Sequence, residues 1–244
     1  MSKNLNPKTI LIAAKNVHFV RSPSVYISMV TPQEQARKDW VNSDQMKRAF
    51  DVVAVSLLLL FFMPIMLVIM GVLAICHPGP IIFRHRRIGL HGAPFQCLKF
   101  RTMCRNADDV LAAHLAADPS SLREWMLTQK LCNDPRVLPI GAFLRRSSLD
   151  ELPQLINVLM GHMSLVGPRP ITFGEVVNYG ENFRDYLSVR PGISGLWQVS
   201  GRNDTSYDER VALDVEYARM HSMSGDLKIL LRTVDVVVRG RGAY

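Results

Sequence analysis

VVAVSLLLLFFMPIMLVIMGVLAIC, residues Val52–Cys76, contains no Asp, Glu, Lys, Arg or His. The run exceeds the roughly 20 apolar residues that cross a hydrocarbon core. It is too long, and begins too far into the chain, to be the core of a signal peptide. Pro64 stands at its middle, where a proline removes a backbone hydrogen bond and bends a helix. The flanking halves, Val52–Met63 and Ile65–Cys76, hold 12 residues each, about 18 Å if helical. Neither half alone crosses a core of about 30 Å. Lys47 and Arg48 precede the run, and Arg84, Arg86 and Arg87 follow it. Basic flanks prefer the cytoplasmic face. A hairpin that enters and leaves on one face satisfies both the proline and the charges. A kinked spanning helix is the plainer alternative. In the hairpin the backbone groups freed at Pro64 need a partner at depth, for which Ser56 or water would serve.

Outside this run, the 244-residue chain has room for one compact domain of ordinary size. Its formal net charge of +8 suits nucleic acid, anionic lipid or phosphorylated substrates. Beside an apolar segment, lipid and phosphate are favoured. No zinc-finger spacing and no RNA-binding aromatic signature occurs, so no nucleic-acid partner is expected. Cys76, Cys97, Cys104 and Cys132 form no C-x-x-C pair, and no His completes a zinc site. Scattered thiols suit a reducing compartment, which places the bulk of the chain in the cytoplasm.

The expected organisation has three parts: a flexible leader over residues 1–44, a re-entrant membrane segment over 45–78, and a cytoplasmic catalytic domain over 79–244. The leader is polar, with Pro7, Pro23 and Pro32 and no apolar period. Pro78-Gly79-Pro80 ends the membrane segment in a rigid turn. Ile81–Phe83 and Phe95–Phe100 are expected strands, with Gly89 and Gly92 between them. Helical spacing marks 107–131, broken near Pro119. It marks Leu149–Met160, closed by Gly161, and Tyr207–Met220, with Val211, Asp214, Val215 and Ala218 on one side. Residues 227–239 read as an amphipathic helix for a core or a membrane interface. The expected class is therefore α+β and helix-rich: a re-entrant membrane hairpin, a catalytic domain with a small β element, and interfacial amphipathic helices.

Several stretches carry possible chemistry. No phosphate loop, dinucleotide fingerprint, D-x-D pair or nucleophile elbow is present. In Arg145-Arg146-Ser147-Ser148-Leu149-Asp150-Glu151-Leu152-Pro153-Gln154, paired acids open an apolar helix. Ser148 and Glu151 have capping-box spacing, and with Asp150 as cap Pro153 falls harmlessly in the first turn. In either register the acids sit near the positive end of a helix dipole, which also attracts phosphate. An ionised Asp150 is able to attack phosphorus, and Glu151 to help hold Mg²⁺; simple capping explains the same residues. Gly167-Pro168-Arg169-Pro170 fixes the backbone around a guanidinium suited to phosphate, or is a turn with a surface arginine. In Arg190–Asn203, glycines allow close backbone approach. There Trp197 and Gln198 are placed to stack on and hydrogen-bond a base and Arg202 to reach phosphates, or the motif is a set of glycine turns around a buried Trp. Lys99 and Arg101 share one strand face, which meets a pyrophosphate, lipid headgroups or plain solvent.

Taken in order, the proline-centred apolar run, Lys99-Phe100-Arg101-Thr102-Met103, Ser148–Gln154, Ser164–Pro170 and Arg190–Asn203 resemble the bacterial sugar transferase family. These are the monotopic phosphoglycosyl transferases that prime surface polysaccharide synthesis. The resemblance covers about Lys47 to Arg239 and leaves out the leader. It implies a hydrophobic segment that is re-entrant and broken at Pro64; the family commonly has Ser before that proline, where Met63 stands here. It implies Asp150 as nucleophile and Glu151 as its Mg²⁺-binding, proton-handling neighbour. Lys99, Arg101, Arg145, Arg169, Gln198 and Arg202 follow as substrate-binding candidates. The implied reaction is ping-pong. Asp150 attacks the β-phosphate of a UDP-sugar, UMP leaves, and undecaprenyl phosphate takes the phosphosugar. The C-terminal Arg239–Tyr244 and the length look like the exopolysaccharide-priming branch, which often transfers galactose- or glucose-1-phosphate at the cytoplasmic face of the inner membrane. A homodimer stays open. The competing readings are an inverting glycosyltransferase that releases UDP and a non-catalytic membrane scaffold of an assembly complex.

Overall fold

The structure is a computed structural model that describes residues 37–128, 130–201 and 205–238. Most of the expected leader, together with Arg202, Asn203 and the C-terminal Arg239–Tyr244, lies outside the described residues. Residues 37–44, counted with the leader, are the first turns of the long helix α1, Arg37–Cys76.

A first β unit, β1 (Ile82–Ile88) and β2 (Pro94–Phe100), follows α1. Helices α2 (Ala107–Ala117), α3 (Pro119–Thr128), α4 (Pro139–Arg146) and α5 (Gln154–Leu159) come next. Strand β3 (Ser164–Val166), the short helices α6 (Val176–Tyr179) and α7 (Phe183–Leu187), and strand β4 (Gly192–Ser194) lead into α8 (Leu196–Ser200). Helices α9 (Tyr207–Met220) and α10 (Met223–Val238) complete the described chain.

The small β element is two separate two-stranded sheets, β1–β2 antiparallel and β3–β4 parallel. Strand β1 extends past the expected Phe83 to Ile88. Its middle, Arg84-His85-Arg86-Arg87, has no apolar alternation to announce a strand, because both faces carry charge. The segment 149–160 is not one helix. Leu149–Glu151 is a 3₁₀ turn, and α5 starts after Pro153. The capping box expected there is not formed: Ser148 is left-handed (φ 57°) and makes no side-chain cap bond. Asp118 instead caps the helix after the Pro119 break, accepting from the Ser120 and Ser121 N–H groups at 2.9 and 3.2 Å. Helix α9 spans the expected residues, with a capping box from Ser206 and Glu209 and with Val211, Asp214, Val215 and Ala218 buried.

Helix α1 is long and apolar enough to cross a membrane and continues through Pro64. Its two halves pack on the same domain. Phe50, Ala54, Val55, Leu58 and Leu59 join a core with Leu155, Val158, Leu165 and Val166. Met66, Ile69, Met70 and Leu73 join another with Phe100, Leu144, Leu149 and Leu152. Leu152 also touches the first core. Leu60, Phe61, Met63 and Ile65 between the two are exposed, as are Val53, Leu57, Leu67, Val68 and Ile75 along the rest of the run. The base of the helix is knotted by charge. Lys47 Nζ lies 2.5 Å from Asp226, which is also 2.8 Å from the Tyr217 hydroxyl. Arg48 donates to the Val158 and Leu159 carbonyls at 2.5 and 2.7 Å, satisfying the open C-terminal end of α5. The basic residues that flank the apolar run on this side are thus committed to protein partners.

Candidate active site

The left-handed Ser148 reverses the chain after α4, and Leu149 and Leu152 are held in the apolar core under α1. This presses Asp150 inward to 8% exposure, on the floor of a cleft of about 1150 Å³. Burial pushes its carboxyl up to about 6; Lys99 and Arg145 oppose the rise, and neighbouring Glu151 adds to it. Glu151 stays half-exposed and pairs with Lys99 Nζ at 2.5 Å. Arg145 donates from Nε to Thr102 Oγ1 at 3.0 Å. Burial lowers its pKa, and the charge of Asp150 counters that. The expected helix dipole is replaced here by a 3₁₀ turn and a ring of side-chain charges.

Strand register builds one wall. Phe83 faces Lys99, and His85 faces Cys97, and all four line the cleft with Arg87 and Arg101. Arg87 donates to the Pro170 carbonyl at 3.0 Å and to Glu175 at 3.1 Å. Glu175 in turn accepts from Thr172 N–H at 2.7 Å, so the segment after Arg169 is tied to β1. The two glycine-containing motifs meet backbone to backbone. Gly167 N–H donates to Ser194 O at 2.9 Å, and Gly192 N–H to Pro168 O at 2.8 Å. A Cβ at Gly167 would stand 2.3 Å from Arg190 O, so only glycine permits this approach. The result presents Arg169, exposed, over the cleft.

Trp197 and Gln198 also line the cleft. Of the two readings of Trp197, a base-stacking surface or a buried Trp among glycine turns, the structure has the second: the indole is 5% exposed, with the guanidinium carbons of Arg169 and Arg210 at 5.7 and 4.9 Å from its ring centre. It serves as a platform for arginines. Of the eight residues expected at the site, Lys99, Arg101, Arg145, Asp150, Glu151, Arg169 and Gln198 line this one cleft; Arg202 lies outside the described residues.

The sequence reading missed His85, Arg87, Arg105, Lys130 and Arg136 as cleft residues. Pairing β1 against β2 would have found His85 and Arg87, since they share the face of Lys99. Arg136 carried no local signal. It is held by Asp134 at 2.6 Å and lies over Trp125 at 5.0 Å, bracing the α2–α3 lobe on the cleft rim. Among the described residues no group of three His, Cys, Asp or Glu gathers to hold a metal. Asp150 and Glu151 still fit Mg²⁺, which takes one or two carboxylates and completes its shell with water and phosphate oxygens.

A charged, half-buried cleft on a domain rooted in a long apolar helix defines a membrane-associated enzyme for phosphorylated substrates. The bacterial sugar transferase model matches residues 42–240, and the chain belongs to that family. It is 48% identical over 198 residues to the exopolysaccharide production protein ExoY of Rhizobium meliloti, covering 81% of this chain and 88% of that one. It is 47% identical to the undecaprenyl-phosphate galactose phosphotransferase of Salmonella typhimurium, covering 82% of this chain and 42% of that protein. It is 42% identical to the UDP-glucose:undecaprenyl-phosphate glucose-1-phosphate transferase of Caulobacter vibrioides, covering 82% of this chain and 73% of that one.

Proposed function

We propose that this protein moves hexose-1-phosphate from a UDP-sugar to undecaprenyl phosphate, releasing UMP, through a phosphosugar carried on Asp150. The chain is a UDP-sugar:polyprenyl-phosphate sugar-1-phosphate transferase by family and by the activities its relatives are named for. The observation that carries the covalent reading is Asp150 itself: a nearly buried carboxylate between two cations on the floor of a basic cleft.

In the first half-reaction an Asp150 oxygen attacks the β-phosphorus. The bond from that phosphorus to the bridging oxygen breaks, and its electron pair leaves on UMP. In the second, a phosphate oxygen of the lipid attacks the same phosphorus, and the Asp150–phosphorus bond breaks back to the carboxylate. Lys99, Arg145 and Arg169 offset charge that would otherwise hold the phosphates apart. Lys99 also holds Glu151 beside the nucleophile, where it is placed to handle the acceptor's proton. Asp150 and Glu151 would hold Mg²⁺, which supplies charge neutralisation at the phosphates when bound.

The re-entrant reading is supported by the two buried ends of the apolar run. Val55 and Leu73 are fully buried against one domain, although they stand about 27 Å apart along a straight helix. A segment rooted at both ends in one domain dips into one leaflet with its bend at Pro64. Exposed Leu227, Leu231 and Val234 on α10 and Phe143 on α4 fit an interfacial belt around it. On this reading the cleft lies at the cytoplasmic face of the inner membrane, where exopolysaccharide assembly starts.

The test is nucleotide release from the purified chain with Mg²⁺, undecaprenyl phosphate, and UDP-galactose or UDP-glucose. UMP, dependent on Asp150, is expected. UDP would mean an inverting glycosyltransferase, and no release with any donor from folded protein would favour a scaffold.

A further inference from the structure

Arg101 is 7% exposed and lines the cleft, yet its side chain's only hydrogen bond among the described residues is from Nη2 to the His77 carbonyl, just past the end of α1. Its Nε and Nη1 are buried without an acceptor. An unmet buried donor carries its full desolvation penalty, which is larger on a charged group. Such groups are rare in native folds, and each asks what partner it awaits.

The surroundings indicate which acceptor completes it. Gly79, with φ +135°, turns the chain directly after His77, and a Cβ there would stand 2.5 Å from Arg101 Nη1 and 3.0 Å from Arg105 Cδ. The Pro78-Gly79-Pro80 turn is therefore moulded onto two arginines. Arg105 is exposed, lines the same cleft, and has no ion-pair partner among the described residues. Apolar surface adjoins them: Pro80 and the 51% exposed Phe83 line the cleft, and Ile75 at the end of α1 is 81% exposed. Two cations beside exposed apolar surface, where the membrane helix leaves the lipid, match a phosphate carried on a hydrocarbon chain.

We propose that Arg101 and Arg105, flanking the Pro78-Gly79-Pro80 turn, form the receiving site for the phosphate monoester of the lipid acceptor as it enters the cleft from the membrane. This rests on the reaction proposed above and gives the acceptor its own station, on the wall of the cleft whose floor holds Asp150. A monoester carries up to two negative charges, which two guanidiniums match better than they match the single charge of a bulk phosphodiester headgroup.

The experiment uses the full chain in phosphatidylcholine nanodiscs, with undecaprenyl phosphate and the UDP-sugar varied in turn. Arg105 is exposed, so Arg105→Ala leaves packing alone; Arg101→Lys keeps the buried charge and shortens its reach. Each is expected to raise the KM for undecaprenyl phosphate about tenfold while the donor KM moves far less. A comparable rise in donor KM, or an unchanged acceptor KM in both variants, overturns the proposal. A second arm measures binding to phosphatidylglycerol vesicles that lack the acceptor. If the variants lose that binding, the arginines serve bulk anionic headgroups, and the acceptor site is again overturned. Release of UDP instead of UMP by the unsubstituted protein would defeat the parent reaction rather than this site, and the same assay reads it first.

Discussion

The molecule gathers charge in two places and treats it in opposite ways. At the base of α1 each charge has a partner: Lys47 with Asp226, Arg48 with two carbonyls, Asp51 with the Leu165 N–H, and Arg190 with Asp44. In the cleft, Asp150 is buried enough to resist ionisation, Arg101 keeps unmet donors, and Arg169 stands exposed on an indole. Satisfied charge fixes a geometry, whereas unsatisfied charge keeps a site ready at some expense in stability. The cleft has satisfied charges too, such as Lys99 with Glu151, so the contrast marks out Asp150, Arg101 and Arg169 rather than every cleft residue.

That division is open to breakage. The largest effect expected is from Asp150→Asn, which lowers UMP release by ~10³-fold or more while membrane association and melting temperature hold or rise. A sharp loss of stability would put Asp150 with the structural charges. Asp226→Ala, which strands the half-buried Lys47, is expected to cost about 3 kcal/mol in denaturant unfolding, with the rate per folded molecule kept. Loss of rate at unchanged stability would erase the distinction.

Acidity gives a third, intermediate test. The raised pKa of Asp150 favours its protonated form in the fold. Its contribution to stability is therefore fully present below the unfolded value near 4 and is lost as pH rises through about 6. Asp150→Asn should remove that loss, about 3 kcal/mol between these limits, when unfolding is followed against pH. Acceptor-free UMP release by the unsubstituted protein should climb with pH through about 6. A rate that is flat from pH 5 to 7 would show the nucleophile to be another group. The smallest effect expected is from Trp197→Phe, which keeps the ring but weakens the platform under Arg169. The donor KM should rise about threefold, and an unchanged KM would remove Trp197 from the functional set.

Much of this was legible in the sequence where local pattern carries the information. The apolar run, the proline within it and the bounds of α9 follow from composition, period and caps. So does the placing of Asp150 and Glu151, once the motifs are taken in order. What stayed hidden depends on partners far away in the chain. Ser148 looks like a cap and is a left-handed hinge, because Leu149 and Leu152 are claimed by the core under α1. Trp197 looks like a stacking surface, but its ring is covered by two arginines, Arg169 from the Ser164–Pro170 motif and Arg210 from α9. Arg87 looked like a membrane flank until the strand register set it opposite Phe95, on the same face as Lys99.

The knot at the base of α1 has a consequence for biogenesis. Lys47 and Asp226 are 179 residues apart, roughly 10 to 35 seconds of synthesis for a chain made from its N-terminus. The apolar segment therefore emerges from the ribosome and meets lipid well before the residue that locks its base exists. Insertion comes first and closure last, so a chain stopped short of α10 would be delivered to the bilayer with its anchor in place and its enzyme unfinished.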